Sequence, residues 1–255
     1  MNDKGVNYDV NKLRGLLPHD LEVLVFDTID STNLEAKRRI QKGDTITSLL
    51  LTRHQSAGKG RLGREFYSPK DNGVYMSIVY PVMGNLLNAV AVTSVAAVCV
   101  MQAILKCTGK KTEIKWVNDL YYKNKKVCGI LTEAVTAADG RQYIIVGIGI
   151  NLYDFAFEGE LCEIAASLEA ECDASDLVLH ITKKILSFAQ TNDRKEYMRE
   201  YRENSMVLGK TVTCIRGDVK FSAIAEEITD NGWLLVRDAD GNVHTLDSGE
   251  VSLRF

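Results

Sequence analysis

Seven consecutive residues, Gly58-Lys59-Gly60-Arg61-Leu62-Gly63-Arg64, combine three glycines with three cations. Glycine lets the backbone take positive φ and approach a ligand closely. Lys59, Arg61 and Arg64 bring positive charge to the same place, and arginine adds a planar fork that matches carboxylate or phosphate. Such a segment is built to hold an anion. Its Gly-x-Gly-x-x-Gly spacing also fits a dinucleotide-binding turn, but that reading needs the third glycine to open a helix whose N-terminus receives a pyrophosphate. Here the chain runs on through Glu65-Phe66-Tyr67-Ser68-Pro69 to Asn72-Gly73, which reads as loop and turn. The H-R-D and D-F-G strings of a kinase are missing, as is G-x-x-x-x-G-K-[ST].

A second group stands at Lys115-Trp116-Val117-Asn118-Asp119, followed by Lys126-Val127-Cys128-Gly129-Ile130-Leu131-x-Glu133. Lysine, asparagine and aspartate close together at a strand end can meet a nucleotide phosphate, a magnesium ion and a polar substrate edge. Alone, the same segment also reads as a solvated hairpin end with an Asn-Asp turn. The four histidines, His19, His54, His180 and His244, are scattered and form no Ser-His-Asp or Cys-His pattern. Six cysteines without C-x-x-C spacing argue against zinc and read as reduced, packed thiols of a cytoplasmic protein.

Elements must position these groups. The chain of 255 residues holds 31 basic and 34 acidic side chains, so bulk charge gives no reason to expect nucleic-acid binding and the basic loop is a local site. The N-terminus lacks the apolar stretch of a secretory signal. Strands are predicted over 21–26 and 48–52, with a helix between them opened by a Thr32-x-x-Glu35 capping box and closed at Gly43. Alternation predicts a strand over 73–82, and a charge-free run predicts a buried helix over about 86–106 rather than a membrane span. Further strands are predicted over 113–116, 127–135 and 143–150, with a turn at Asp139-Gly140, and one long helix over 176–201. From Val207 the texture changes to short strands punctuated by Arg216-Gly217-Asp218, Asp230-Asn231-Gly232 and Asp238-Ala239-Asp240-Gly241, which predicts a small β-barrel. The expectation is an α+β fold, with a mixed β-sheet domain over 1–205 and an all-β domain over 206–255.

Together these strings resemble the biotin protein ligase family. The matching blocks are Asp30-Ser31-Thr32-Asn33, Gln55-x-x-Gly58-Lys59-Gly60-Arg61-Leu62-Gly63-Arg64, Lys115-Trp116-Val117-Asn118-Asp119, Lys126-x-x-Gly129-Ile130-Leu131-x-Glu133 and Gly147-Ile148-Gly149-Ile150-Asn151. The resemblance implies a catalytic domain like that of class II aminoacyl-tRNA synthetases and an SH3-like C-terminal barrel. It implies adenylation of biotin by ATP with Mg2+, then transfer to a lysine of a biotin carboxyl carrier protein. Carried over, Ser31, Thr32, Asn33 and Gln55 are expected at the biotin ureido head, and Gly58, Lys59, Gly60 and Arg61 over its carboxylate. Lys126 is expected at the phosphate, and Gly129 and Ile130 along the biotin ring. Arg61, Arg64, Trp116, Asn118, Asp119 and Asn151 are expected toward the nucleotide, with Asp119 also toward the metal; Lys126, Arg61 and Lys115 are the expected catalytic cations. The sequence departs from the family at Val117, where proline is usual, and at Lys59, where arginine is usual.

Only about 20 residues precede the first predicted strand, too few for the family's N-terminal DNA-binding unit. The resemblance therefore implies a short form that binds neither DNA nor membrane, and it leaves a homodimer open. Two other readings stay open at this point: a lipoate-protein ligase, which shares the adenylate chemistry, and a non-catalytic sensor of biotin or nucleotide.

Overall fold

The computed structural model describes residues 5–44, 46–82, 88–216, 219–247 and 250–252. The predicted helix start near Leu86 and the Gly217-Asp218 turn lie outside them. In chain order the elements are α1 (Val10–Leu16), β1 (Glu22–Ile29), α2 (Thr32–Gln41), β2 (Ser48–Gln55), β3 (Gly73–Pro81), α3 (Ala89–Thr108), β4 (Glu113–Lys115), β5 (Asp119–Tyr122), β6 (Lys125–Thr136), β7 (Gln142–Asn151), α4 (Leu161–Ile164), α5 (Ala174–Thr191), α6 (Lys195–Glu203), and then β8 (Thr211–Arg216), β9 (Val219–Ile228), β10 (Leu234–Asp238), β11 (Val243–Leu246) and β12 (Glu250–Ser252).

Strands β1 to β7 form one mixed sheet in the order β1-β2-β3-β7-β6-β5-β4, parallel only between β1 and β2. Alternate residues of its strands feed two cores. Leu49, Leu51, Met76 and Ile78 pack with α3, α5 and α6, while Leu50, Val79 and Ile145 pack under Ala36 and Ile40 of α2. Because both faces are covered, β3 is buried along nearly its whole length and not on one side alone. The long apolar helix α3 is long and apolar enough to cross a membrane, yet most of it is buried against the sheet, α5 and α6. Asn88 Oδ1 caps its start by accepting from Ala91 N at 2.8 Å, and Gly109 ends it at φ 69°.

Four expectations change. The N-cap of α2 is Ser31, and Thr32 is its first helical residue; the Thr32 hydroxyl faces Ser77 rather than the helix backbone, and Glu35 pairs with Arg38, so the capping box does not form. A strand, β5, lies within the segment read as a connection after Lys115; at four residues with an acidic start it is too short to show a period. The predicted helix over 176–201 is two helices, because Asn192 takes φ 53° and caps α5. A helix missed at the N-terminus, α1, is capped by Asp9, whose Oδ1 accepts from Lys12 N at 2.9 Å.

Strands β8 to β12 form a second, wholly antiparallel sheet in the order β11-β10-β9-β8-β12. Hydrogen bonds tie it to the first unit at the β9–β10 turn. Gly232, at φ 78° in the β9–β10 turn, offers its carbonyl to Trp116 Nε1 at 2.8 Å, and Arg202 of α6 donates to Ile228 O at 2.9 Å in the same hairpin.

Candidate active site

Around one cavity the fold gathers nearly all the residues singled out in the sequence. The N-terminus of α2 supplies Ser31, Thr32 and Asn33, and the end of β2 supplies Gln55. Lys59, Gly60, Arg61 and Arg64 come from the glycine-rich segment, Lys115, Trp116, Asn118 and Asp119 from the β4–β5 turn, and Lys126, Gly129 and Ile130 from β6. Two predicted residues stand outside this lining. Gly58 is buried at the base of the glycine-rich segment, where a Cβ would come within 2.4 Å of the Phe66 carbonyl. Asn151 is buried at the end of β7 and donates its side-chain amide to Ala166 O at 3.1 Å.

The glycine-rich segment is a small hairpin. Phe66 N donates to Gly58 O at 3.0 Å and Gly60 N to Arg64 O at 2.8 Å, and the tip turns through Leu62 at φ 54° and Gly63 at φ 77°. A positive φ at leucine is uncommon and its side chain stands 70% exposed. From the tip Arg61 reaches across the cavity, Nη1 donating to Asn118 Oδ1 at 3.2 Å. Asn118 is itself fixed by donating Nδ2 to Ile130 O at 3.0 Å. The peptide bond between Trp116 and Val117 is cis, and Tyr201 Oη donates to the Val117 carbonyl at 3.0 Å.

Lys126 Nζ lies 2.8 Å from Asp119 Oδ1 and 6.0 Å from the centre of the Phe66 ring, and Lys115 Nζ lies over the Tyr121 ring at 5.3 Å. These two ammonium groups and the Arg61 guanidinium make one end of the cavity cationic. The other end is polar and neutral, and its floor is anchored. Asp30 receives both arms of the Arg38 fork, at 2.7 and 2.8 Å, and accepts from Ser31 N at 2.7 Å. The Arg38 hydrogen bonds hold the Asp30 carboxyl down at about 2. The fork is therefore fully present above the ordinary carboxylate range and is lost only as pH falls toward 2.

Sequence reasoning missed what makes the slot. Gly129 and Gly149 face each other across β6 and β7, and Gly147 pairs with both Leu131 and Ser77. A Cβ on Gly147 would stand 2.1 Å from Asn33 Oδ1, and one on Gly149 2.3 Å from the Phe66 ring. These glycines strip one face of the sheet so that Asn33 and Phe66 can lie against its backbone. Spacing at every second residue in a strand was the available signal, since glycine inside a strand marks close approach of something else. Phe66, Met76 and Val251 also line the cavity, the last from β12 of the second sheet. Asn33, expected at the ligand, donates Nδ2 to Glu133 Oε2 at 2.9 Å and to Leu131 O at 3.3 Å, and its Oδ1 lies 2.6 Å from Ser77 Oγ.

Among the described residues no group of three His, Cys, Asp or Glu side chains could hold a metal ion unaided. Asp119 fits a magnesium ion that arrives with a triphosphate, because Mg2+ is commonly held by one or two carboxylates plus phosphate oxygens and waters. All six cysteines are free, and burial pushes the thiols of Cys99, Cys128 and Cys214 up.

Comparison with known proteins shows what the whole chain is similar to. The model of the Biotin/lipoate A/B protein ligase family matches residues 25–151, and that of the Biotin protein ligase C terminal domain matches residues 207–254. The Bifunctional ligase/repressor BirA of Bacillus subtilis (strain 168) is 34% identical over 245 residues, which cover 91% of this chain and 74% of that protein. The Biotin–[acetyl-CoA-carboxylase] ligase of Mycobacterium tuberculosis is 25% identical over 233 residues, covering 87% and 85%. Among solved structures, the biotin protein ligase from Aquifex aeolicus in complex with biotin and ATP superposes with a TM-score of 0.75 at 27% identity, covering 91% of this chain and 98% of that one.

Proposed function

The chain belongs to the biotin protein ligase family, and on that premise we propose that its cavity activates biotin with ATP and passes the biotinyl group to a lysine of a biotin carboxyl carrier domain. The observation that carries this reading is the polarity of the cavity: a neutral, hydrogen-bonding head pocket at the α2 N-terminus and a cationic end built by Lys115, Lys126 and Arg61. Biotin has the same polarity, a cyclic urea at one end and a carboxylate at the other. Ser31, Thr32 and Gln55 take the urea, Gly129 and Ile130 lie along the ring, and the hairpin carrying Lys59, Gly60 and Arg61 closes over the carboxylate. Arg64, Trp116, Asn118 and Asp119 face the nucleotide.

In the first step a biotin carboxylate oxygen bonds to the α-phosphorus of ATP, the bond to the β-bridging oxygen breaks, and pyrophosphate leaves. Two anions meet in this step, and cations fixed in a partly enclosed site offset the repulsion most where charge gathers. Asp119 would hold a magnesium ion bound with the triphosphate, which would neutralise further phosphate charge. In the second step the neutral amine of the carrier lysine attacks the acyl carbon, AMP leaves, the nitrogen gives up one proton to water, and an amide remains. No nucleophile of this chain enters either step. The free thiols suit the reducing cytoplasm, where we place the protein.

The test is pyrophosphate release on mixing the protein with ATP and biotin, followed by appearance of labelled biotin on an added carrier domain. The reaction is expected with biotin and not with lipoate. Equal release with lipoate would replace biotin by lipoate as the substrate, and no release with either acid would leave a sensor.

The slot provides a further expected result. Gly147→Ala places a methyl group where the Asn33 amide lies, 2.1 Å from its oxygen, and Asn33 must then leave Ser77 and Glu133. Biotin KM is expected to rise roughly tenfold or more, the worth of a buried hydrogen bond left unmade, with ATP KM changed little. An unaltered biotin KM would mean that Asn33 does not shape the head pocket.

A further inference from the structure

A hydrogen-bonded chain leads from the half-buried Glu133 into the head pocket, and its direction is fixed at the far end from the ligand. Lys37 Nζ holds Glu133 Oε1 at 2.7 Å, which leaves Oε2 to accept from Asn33 Nδ2 at 2.9 Å. Leu131 O takes that nitrogen's second hydrogen at 3.3 Å. An Asn33 amide turned the other way would set its oxygen against a carboxylate and a carbonyl, so this pair of acceptors decides which end of the amide faces Ser77. Oδ1 therefore faces Ser77 Oγ at 2.6 Å. An amide oxygen can only accept, so the single Ser77 hydroxyl hydrogen points at Asn33.

Ser77 is fully buried, and its oxygen also lies 2.7 Å from Thr32 Oγ1. With its own hydrogen spent on Asn33, Ser77 can only accept there, and the Thr32 hydroxyl hydrogen must point at Ser77. The competing partner is weaker: Gln55 Oε1 stands 3.3 Å from Thr32 Oγ1 and already accepts the Thr32 N–H at 2.9 Å. Thr32 lines the cavity, and its Oγ1 then has only lone pairs left to offer a ligand. We infer that Glu133, which does not line the cavity, is a positioning residue that sets the hydrogen-bond polarity of the head pocket, making Thr32 Oγ1 an acceptor for a ureido N–H.

This rests on the biotin reading above and adds a specificity determinant to it. A cyclic urea presents N–H donors on its flanks, and an acceptor-only Thr32 rewards a ligand that keeps that N–H and penalises one that has lost it. The inference also gives Asn33 its role, which is to transmit orientation rather than to touch the ligand.

The deciding experiment is Glu133→Gln, measured by single-turnover adenylate formation with biotin and with a biotin derivative methylated at a ureido nitrogen, each of the two nitrogens in turn. A glutamine of the same shape can offer its own N–H to Asn33 Oδ1. The amide then turns, the Ser77 hydrogen goes to Thr32, and a hydroxyl hydrogen is aimed at the ureido N–H. Biotin KM is expected to rise about ten- to hundredfold while ATP KM stays within about twofold, and for one of the two derivatives the preference for biotin over the methylated form should fall toward one. Ser77→Ala cuts the same chain without touching a charge, so it carries the test if the glutamine variant does not fold; its biotin KM should rise with ATP KM unchanged. A biotin KM that does not move in either variant overturns the inference, as do equal losses for biotin, both derivatives and ATP, which would mark a purely structural network. Failure of the unaltered protein to adenylate biotin would instead remove the biotin reading and this inference with it.

Discussion

In single-turnover reactions with biotin and ATP, Lys126→Gln is expected to lower the rate of adenylate formation by on the order of a hundredfold or more, as when one donor to a developing charge is removed, while biotin affinity falls far less. Glutamine keeps most of the stem that lies beside the Phe66 ring and removes the charge. The attacking carboxylate and the α-phosphate lose the ammonium that offsets their repulsion, and Asp119, whose Oδ1 lies 2.8 Å from Lys126 Nζ, loses its ion-pair partner. Near-normal adenylate formation in Lys126→Gln would contradict the assignment.

The cations proposed to carry this chemistry were legible in the sequence because charge and glycine spacing are local signals. Lys59, Arg61 and Arg64 sit within six residues, and the turn-forming run from Glu65 to Pro69 by itself excludes a helix after the third glycine. What surrounds them was less legible. Gly147 and Gly149 announced close approach by something, but the occupants, Asn33 and Phe66, come from a distant helix and a hairpin arm, and one-dimensional spacing carries no such pairing. The same limit defeated the capping box. Thr32 and Glu35 have the right local pattern, yet a buried partner on β3, Ser77, takes the threonine hydroxyl, and tertiary contact outranks local preference. Of the sheet, the long buried strands could be read from apolar runs, whereas β5 has four residues and only Leu120 fully buried. The division of the last helix turned on a single residue, Asn192, whose left-handed conformation asparagine tolerates but does not require.

The hairpin from Gly58 to Phe66 is expected to act as a lid, and Arg61→Gly is the variant that exposes it. Two backbone bonds close the hairpin, while its tip is carried by a leucine and a glycine at positive φ and projects an exposed Leu62. Little apolar surface holds such a tip down, so what anchors it must be polar, and Arg61 Nη1 reaching Asn118 Oδ1 at 3.2 Å is one such anchor. With the adenylate bound, the same guanidinium gains an anionic phosphate within reach, and closure then keeps water and stray amines from a reactive mixed anhydride. Removing the side chain leaves Ser31, Thr32 and Gln55 untouched at the other end of the cavity. The variant should therefore still form the adenylate but release it about ten- to hundredfold faster, the range for losing a hydrogen bond to a charged group. Stopped-flow dissociation of the adenylate measures this directly. Chymotryptic cleavage after Leu62 or Phe66 gives the second readout, expected to slow when biotin and ATP are added to the unaltered protein and to slow less in Arg61→Gly. Unchanged release together with equal cleavage in the presence and absence of ligand would make the hairpin a fixed wall, and the protection of the anhydride would then have to come from the walls built by β6, β7 and the β4–β5 turn alone.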